Sequence, residues 1–235
     1  YADQVIANSY GNCCDLVNNF YLDNVITINN PININNINLL SNIELKGYSN
    51  KFKFITMGRI DDSKNHKMIL NSFVGLDAEL YIIGSGPLES ELKSQISELA
   101  LDKKVFLLGE LKNPFKHLSK ADCFVLGSSN EGFPNVLLEA LVCGLPIIST
   151  DCESGPREIL SPSSNGLSHF NQKFELVEYG ILTPINNQKI LSNAMNLIMN
   201  NDKLRNSYAS NSMIRANDFS SKKIATQYLE VICVE

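Results

Sequence analysis

Two carboxylates flank the segment from Glu131 to Glu139, which reads Glu-Gly-Phe-Pro-Asn-Val-Leu-Leu-Glu. Glu139 interrupts VLLEALVC, a helical pattern otherwise apolar all round, and a helix of that kind is buried. A buried carboxylate without a partner is costly, so it requires a cation or several hydrogen-bond donors. Two partners fit the residue type: the vicinal hydroxyls of a ribose, which satisfy both oxygens, or a cation of the fold such as Arg157. Pro134 is expected at the first turn of this helix, where its missing N–H costs nothing. The unpaired N–H groups that follow it, together with the helix dipole, attract a phosphate or another anion. Glu131 stands just before those donors, placed to accept hydrogen bonds from sugar hydroxyls.

Cations and glycines occupy comparable places elsewhere. Arg59 and Lys64 follow the strand pattern 52–58 and suit a diphosphate, Arg as a planar fork and Lys as a movable point charge. Taken alone, this pair reads equally well as two solvated surface cations. Gly84-Ser85-Gly86-Pro87 is a Gly-rich turn at a helix start that would let backbone N–H groups approach a ligand. Glu89 stands where the third glycine of a dinucleotide fingerprint would be, so that fingerprint is absent. Ser154-Gly155-Pro156-Arg157-Glu158 is a further turn able to face the same crevice, although Gly and Pro explain it as ordinary loop chemistry.

These residues need a scaffold, and the hydrophobic pattern supplies one. Near-continuous apolar runs at 52–58, 78–84, 104–109, 123–128, 146–151 and 180–184 predict strands buried on both faces. Helical patterns lie between them at 66–76, 87–101, 114–120, 134–143 and 188–200, several opening with Pro at the first turn. The alternation predicts an α/β fold, a parallel sheet with helices on both faces, whose ligands bind at the carboxyl ends of the strands. After residue 202 the pattern is helical to the end. Residues 1–31 hold one β-α-β unit, which cannot bury both its faces alone, followed by an Asn-rich connection. The stretch 161–172 reads as an irregular surface loop.

At 235 residues, 44% hydrophobic and 19% charged, the chain has the material for a soluble globular protein. A formal net charge of -5 and a pI near 5.3 offer no broad electrostatic footprint for nucleic acid or an anionic membrane, so phosphate must be bound locally. No apolar run reaches membrane-span length, and the first residues lack the features of a signal peptide, which predicts a cytosolic protein. The six cysteines, at 13, 14, 123, 143, 152 and 233, form no C-x-x-C pair and read as reduced, buried thiols. His66, His117 and His169 have no partners at catalytic or metal-ligand spacing and read as surface or capping residues.

Together, G-R-x-x-x-x-K, G-x-G-P before a helix, E-G-F-P-N-x-x-x-E and G-x-P-I-I-x-T-D with G-P-R-E-I resemble the retaining nucleotide-sugar glycosyltransferases of the GT-B type, family 4-like, group 1. The likeness covers residues 52–228, with the motifs in family order, and is closest to bacterial enzymes that build lipopolysaccharide, capsule or lipid-linked oligosaccharide. It implies a Rossmann-like half of a GT-B fold at 46–219. Residues 1–45 would be the remnant of an N-terminal acceptor domain with its linker, and 220–235 a C-terminal helix reaching back toward that domain. It implies that Arg59 and Lys64 bind the donor diphosphate, Glu131 lies near the transferred sugar, and Glu139 holds the ribose. Gly84 and Gly86 would line the donor site. Gly132, Phe133, Asn135, Val136 and Leu137 would offer backbone contacts to sugar and phosphates, and the turn around Glu110 and Leu111 would meet the base.

The implied reaction moves a hexose or N-acetylhexosamine from a nucleotide-diphosphate sugar, a UDP-sugar, to a glycan or lipid-linked acceptor with retention and without metal or other cofactor. The acceptor attacks from the front face while the departing diphosphate helps take its proton, and Arg59, Lys64 and the helix N-terminus stabilise the leaving charge. The resemblance also implies a cytoplasmic enzyme whose missing N-terminal domain binds the acceptor and makes any peripheral contact with the inner membrane. This chain alone would then bind donor but not transfer. The stretch 161–178 reads as an insertion. A non-catalytic nucleotide-sugar-binding or regulatory module is the alternative, and a nicotinamide-type dinucleotide domain is disfavoured by the absent fingerprint.

Overall fold

The computed structural model describes residues 2–45, 47–164 and 173–233. The described strands form two sheets. The smaller pairs β1 (Val5–Ala7) in parallel with β2 (Val25–Thr27), joined by helix α1 (Tyr10–Phe20). The larger contains β3 (Phe52–Met57), β4 (Ala78–Ile83), β5 (Val105–Gly109), β6 (Cys123–Leu126), β7 (Ile147–Thr150), β8 (Glu175–Val177) and β9 (Gly180–Thr183), in the order β5-β4-β3-β6-β7-β9-β8. All its pairs are parallel except β8 with β9. The order runs outward on both sides of β3, so the switch point lies between β3 and β6, where a doubly wound sheet opens its crevice.

Strand pleating divides the core in two. Phe54, Leu80 and Ile82 face one cluster, with residues of α3 (His66–Phe73), α4 (Glu89–Glu98) and α8 (Gln188–Asn200). Ile55, Tyr81 and Ile83 face the other, with residues of α5 (Phe115–Leu118), α6 (Asn135–Val142) and α7 (Pro156–Leu160). Full burial of side chains such as Phe54, Ile55 and Leu80 contributes about 1.5–3 kcal/mol each, which holds both layers of helices to the sheet.

Several sequence expectations are corrected. In the stretch 161–178, residues 165–172 lie outside the described residues, and 175–177 form a strand that the pattern did not predict, β8, which pairs antiparallel at the sheet edge and is too short to show periodicity. Pro134 is the N-cap of α6, with extended backbone, rather than a first-turn residue, and Pro114 caps α5 in the same place. Either position spares proline the hydrogen bond it cannot make. The Asn-rich connection is not loop throughout. Asn33 accepts a hydrogen bond from the Asn36 N–H and caps α2 (Ile34–Ser41), whose Ile37 is buried in the second core cluster. Asn113 and Ser119 donate to the carbonyls of Leu40 and Ser41 and fix its far end.

Helix α9 (Asp202–Ala216) leads through Phe219 to α10 (Ser221–Ile232). Ile32 donates to the Phe219 carbonyl at 2.8 Å and accepts from the Ser221 N–H at 3.1 Å, so the start of α10 is tied to the connection after β2. No described helix is long and apolar enough to cross a membrane.

Candidate functional site

Because β3 to β7 are parallel, the residues following each strand collect along one edge of the sheet. The loop after β3 is built around Asp61, whose Oδ1 accepts from the Ser63 hydroxyl at 2.7 Å and from the Lys64 N–H at 3.1 Å. Asn65, in the left-handed region, then caps α3 by accepting from the Met68 N–H. This geometry turns the Lys64 side chain back over Gly58 and toward the loop after β6. There its ammonium meets Glu131 Oε1 at 2.5 Å, and the buried Ser128 hydroxyl donates to the same oxygen at 2.7 Å. Ser129 donates to the Ser63 carbonyl at 2.8 Å, so backbone as well as side chains join the two loops.

Arg59 behaves differently. Its side chain is 71% exposed, with only a 3.7 Å approach to Asp61. It borders a cleft of about 470 Å³ with Gly84, Ser85, Gly86 and Glu110. The glycines here serve packing in the first place. A Cβ on Gly84 would collide with the Gly58 carbonyl, and one on Gly86 with the Ile60 carbonyl, because the loops after β3 and β4 run backbone against backbone. Glu110 is exposed at the far rim, whereas Leu111 packs its side chain against the second core cluster.

At the start of α6, the N–H groups of Asn135 and Val136 have no intrahelical acceptor, as the first two positions of any helix do not. The Leu137 N–H donates to the Pro134 carbonyl at 3.0 Å. Phe133 is buried and meets Phe219 edge to face at 5.5 Å, and Gly132 lies beside Asn12 of α1.

Glu139 sits half-buried further along α6, and no hydrogen bond or ion pair joins its carboxylate to another described residue. Burial pushes its pKa up to about 7. Arg157 is not its partner. Its guanidinium donates through Nε and Nη2 to Asp151 at 2.9 and 2.6 Å, and through Nη2 to Glu175 at 2.5 Å. Glu175 lies on β8, the strand that the sequence pattern did not reveal, so this competing partner was not visible in advance. Of the two readings of Glu139, the Arg157 salt bridge is excluded.

Two of the histidines also differ from expectation. His66 is buried, at 3% exposure, with its Nδ1 unpartnered, and burial lowers its pKa to about 4. It is the first residue of α3, and that helix turns most of its length into the core. His117 is half-buried, with Nδ1 at 2.6 Å from the Tyr48 hydroxyl. His169 lies outside the described residues. Of the cysteines only Cys123 and Cys152 are buried, while Cys13, Cys14 and Cys143 are half-buried and Cys233 is exposed; all are free.

Three contributors carried no sequence signal, Asp61, Ser128 and Asn30, and the sequence pattern placed Glu158 in a turn but with no partner. Asn30 donates to Asn135 Oδ1 at 2.9 Å. The Glu158 carboxylate accepts from the Tyr10 N–H at the start of α1 and anchors the small sheet's helix to the loop after β7. Both contacts span more than 100 residues, and short-range patterns do not report such pairings.

The carboxyl edge of this doubly wound sheet thus carries an exposed cation, the first N–H groups of α6 and a carboxylate without a partner among the described residues, at the place where such sheets bind their ligands. The family model of glycosyl transferases group 1 matches residues 42–214, and the chain belongs to that family. It is 35% identical over 239 residues to an N-acetylgalactosamine-N,N'-diacetylbacillosaminyl-diphospho-undecaprenol 4-alpha-N-acetylgalactosaminyltransferase of Campylobacter jejuni, covering 98% of this chain and 60% of that protein. It is 38% identical over 215 residues to an uncharacterized glycosyltransferase of Methanocaldococcus jannaschii, covering 80% of this chain and 52% of that one. The chain therefore spans 60% or less of these two relatives. Among solved structures, Anabaena HepE in complex with UDP superposes with a TM-score of 0.83 at 21% identity, over 99% of this chain and 64% of that one. TarM of S. aureus superposes with a TM-score of 0.80 at 20% identity, over 98% and 44%. The large sheet and its helices match a GT-B glycosyltransferase domain.

Proposed function

We propose that this chain is the donor-binding part of a retaining glycosyltransferase that moves a hexose or N-acetylhexosamine from a UDP-sugar to a glycan or lipid-linked acceptor. The observation that carries the reading is Glu139: a carboxylate without a partner among the described residues, in the helix whose first two N–H groups have no intrahelical acceptor. A ribose supplies the hydroxyl donors that the carboxylate lacks, and a diphosphate supplies the acceptors that the N–H groups lack. The name of the Campylobacter relative favours an N-acetylhexosamine and a diphospho-undecaprenol-linked acceptor.

In this reading Arg59 reaches from the cleft rim to the diphosphate, and Lys64 leaves Glu131 to join it. Glu131 then accepts hydrogen bonds from the sugar. Charge growing on the departing diphosphate is stabilised by both cations and by the start of α6, with no metal required. The acceptor binds mainly to sequence outside this chain, at the cytoplasmic face of a membrane. Calorimetric titration of the folded chain with uridine diphosphate tests the donor site. Saturable heat at sub-millimolar ligand is expected, and its absence at millimolar ligand would overturn the reading.

A further inference from the structure

The segment 28–33 is where the chain passes from the small sheet to the large one, and its residues are tied to several different neighbours. Ile28 donates to the Ala7 carbonyl and Asn29 to the Asn8 carbonyl, which fix the small sheet's side. Ile32 pairs with Phe219, Ser220 and Ser221, the turn that leads into α10. Between them, the Asn30 amide donates to Asn135 Oδ1 at 2.9 Å and approaches the Phe133 carbonyl at 3.4 Å. Phe219 closes the ring of contacts by meeting Phe133. Asn12 Nδ2, held by Asn8 Oδ1 at 2.8 Å, lies against Gly132 from the other side. The turn from Gly132 to Asn135, which follows Glu131 directly, is thus gripped by the crossing segments rather than by the large sheet alone.

Resting on the donor-site reading above, we infer that Asn30 is a positioning residue for the sugar end of the site. It sets the Phe133–Asn135 turn, and through it the Glu131 carboxylate, according to where the small sheet sits. Asn30 touches neither Arg59 nor Lys64, and its loss removes no backbone N–H from the start of α6, so it loosens recognition of the transferred sugar more than it loosens diphosphate binding. Movement of the small sheet against the large one is thereby passed to the turn that joins Glu131 to the start of α6.

The test uses the 235-residue chain and two probes, uridine diphosphate and UDP-N-acetylgalactosamine, with the dissociation constants of each measured by calorimetry. Asn30→Ala is expected to weaken the nucleotide-sugar about fivefold to tenfold while leaving the diphosphate within about twofold. Asn135→Ala, which keeps the backbone N–H and removes only the side-chain acceptor of Asn30, should do the same, and the double variant should be no worse than either, because both remove one contact. A general loosening of the fold would instead weaken both probes together and lower the melting temperature, which would overturn the inference. So would additive losses in the double variant. Glu131→Ala is the reference for the reading itself. If it shifts the nucleotide-sugar and Asn30→Ala does not, the positioning role falls alone. If Glu131→Ala shifts nothing, the assignment of Glu131 to the sugar falls and this inference with it.

Discussion

Glu131 and Glu139 belong to one loop-and-helix element yet live in opposite electrostatic circumstances. Glu131 is 9% exposed and fully engaged through one oxygen, by the Lys64 ammonium and the Ser128 hydroxyl. Glu139, half-buried in the helix that follows, meets no donor among the described residues, and burial alone raises its pKa to about 7. The fold therefore stabilises one carboxylate with its own groups and leaves the other for something else to satisfy. The buried Arg157, flanked by Asp151 and Glu175, shows what an ion pair serving the fold looks like here. A carboxylate retained at a cost, in a protein that places an arginine in the core elsewhere, is the feature on which the donor-site proposal rests.

Arg157→Ala offers the largest test of that contrast. Removing the cation leaves Asp151 and Glu175 facing each other at 7% and 16% side-chain exposure, and breaking a buried pair of this kind costs about 3–5 kcal/mol. Urea denaturation should show that loss. The titration of Glu139, followed by NMR of the side-chain carboxyl, should not move. A shift there would return Arg157 to the neighbourhood of Glu139.

The next effect lies in the pH dependence of stability. Glu139 has a folded pKa of about 7 against an ordinary 4.5, so its contribution is fully present below pH 4.5 and lost as pH rises through 7. His66 runs the other way. Its folded pKa of about 4 against an ordinary 6.5 gives stability present above pH 6.5 and lost as pH falls through 4. Between pH 4.5 and 6.5 the two slopes oppose each other. Glu139→Gln removes one of them, so the variant should gain on the order of 2 kcal/mol over the parent at pH 8 and nothing at pH 4. In the same variant, affinity for a UDP-sugar should fall about tenfold at pH 8, since an amide cannot accept at both atoms. Thermal melts across pH with parallel titrations check both halves. A variant that loses stability at pH 8 would mean that Glu139 has a partner within the fold.

Lys64 and Arg59 carry the comparison to the cations. Lys64→Met leaves Glu131 with Ser128 as its donor and should cost about 1–3 kcal/mol in thermal unfolding, as an under-satisfied buried acceptor does. Arg59→Ala, at a side chain 71% exposed, should change stability by less than about 0.5 kcal/mol. Both should weaken nucleotide binding. Equal stability losses would mean that the Lys64–Glu131 pair contributes nothing to the free protein.

The legible part of this molecule was what short-range pattern encodes. Apolar runs marked six strands of the large sheet, since strands buried on both faces carry few polar residues. Glu139 stood out because it broke an apolar helix, and its cost could be reasoned from type alone. What escaped was set by distant partners. Arg157 looked available to Glu139 because Glu175, on a three-residue edge strand, gave no periodicity. His66 looked exposed because it follows Asp61, Asp62 and Lys64 in a polar stretch, although α3 buries its first residue. Asn30 sat in an asparagine-rich run where no single asparagine is distinguished. Its bond to Asn135 becomes visible only when residues 105 positions apart are brought together.

Two glycines give the smallest and most local test. Gly155 has φ +89°, and a Cβ there would press on Pro134 Cδ at 2.5 Å and on the Gly132 carbonyl, so both backbone and packing require glycine. Gly132 has no such strain, and its added Cβ would meet Asn12 Nδ2 at 3.1 Å, the far end of a side chain able to turn away. Gly132→Ala should therefore cost less than about 1 kcal/mol, a shift in melting temperature of roughly 2–4 °C at most. Moving Asn12 nonetheless loosens one side of the turn behind Glu131 while leaving Arg59, Lys64 and Glu139 untouched. Nucleoside diphosphate affinity should stay constant, and the added affinity from the sugar should fall about twofold to threefold. Loss of diphosphate binding instead would place the phosphate nearer Gly132 than the start of α6, and the division between a self-satisfied sugar end and an unsatisfied ribose end would need redrawing.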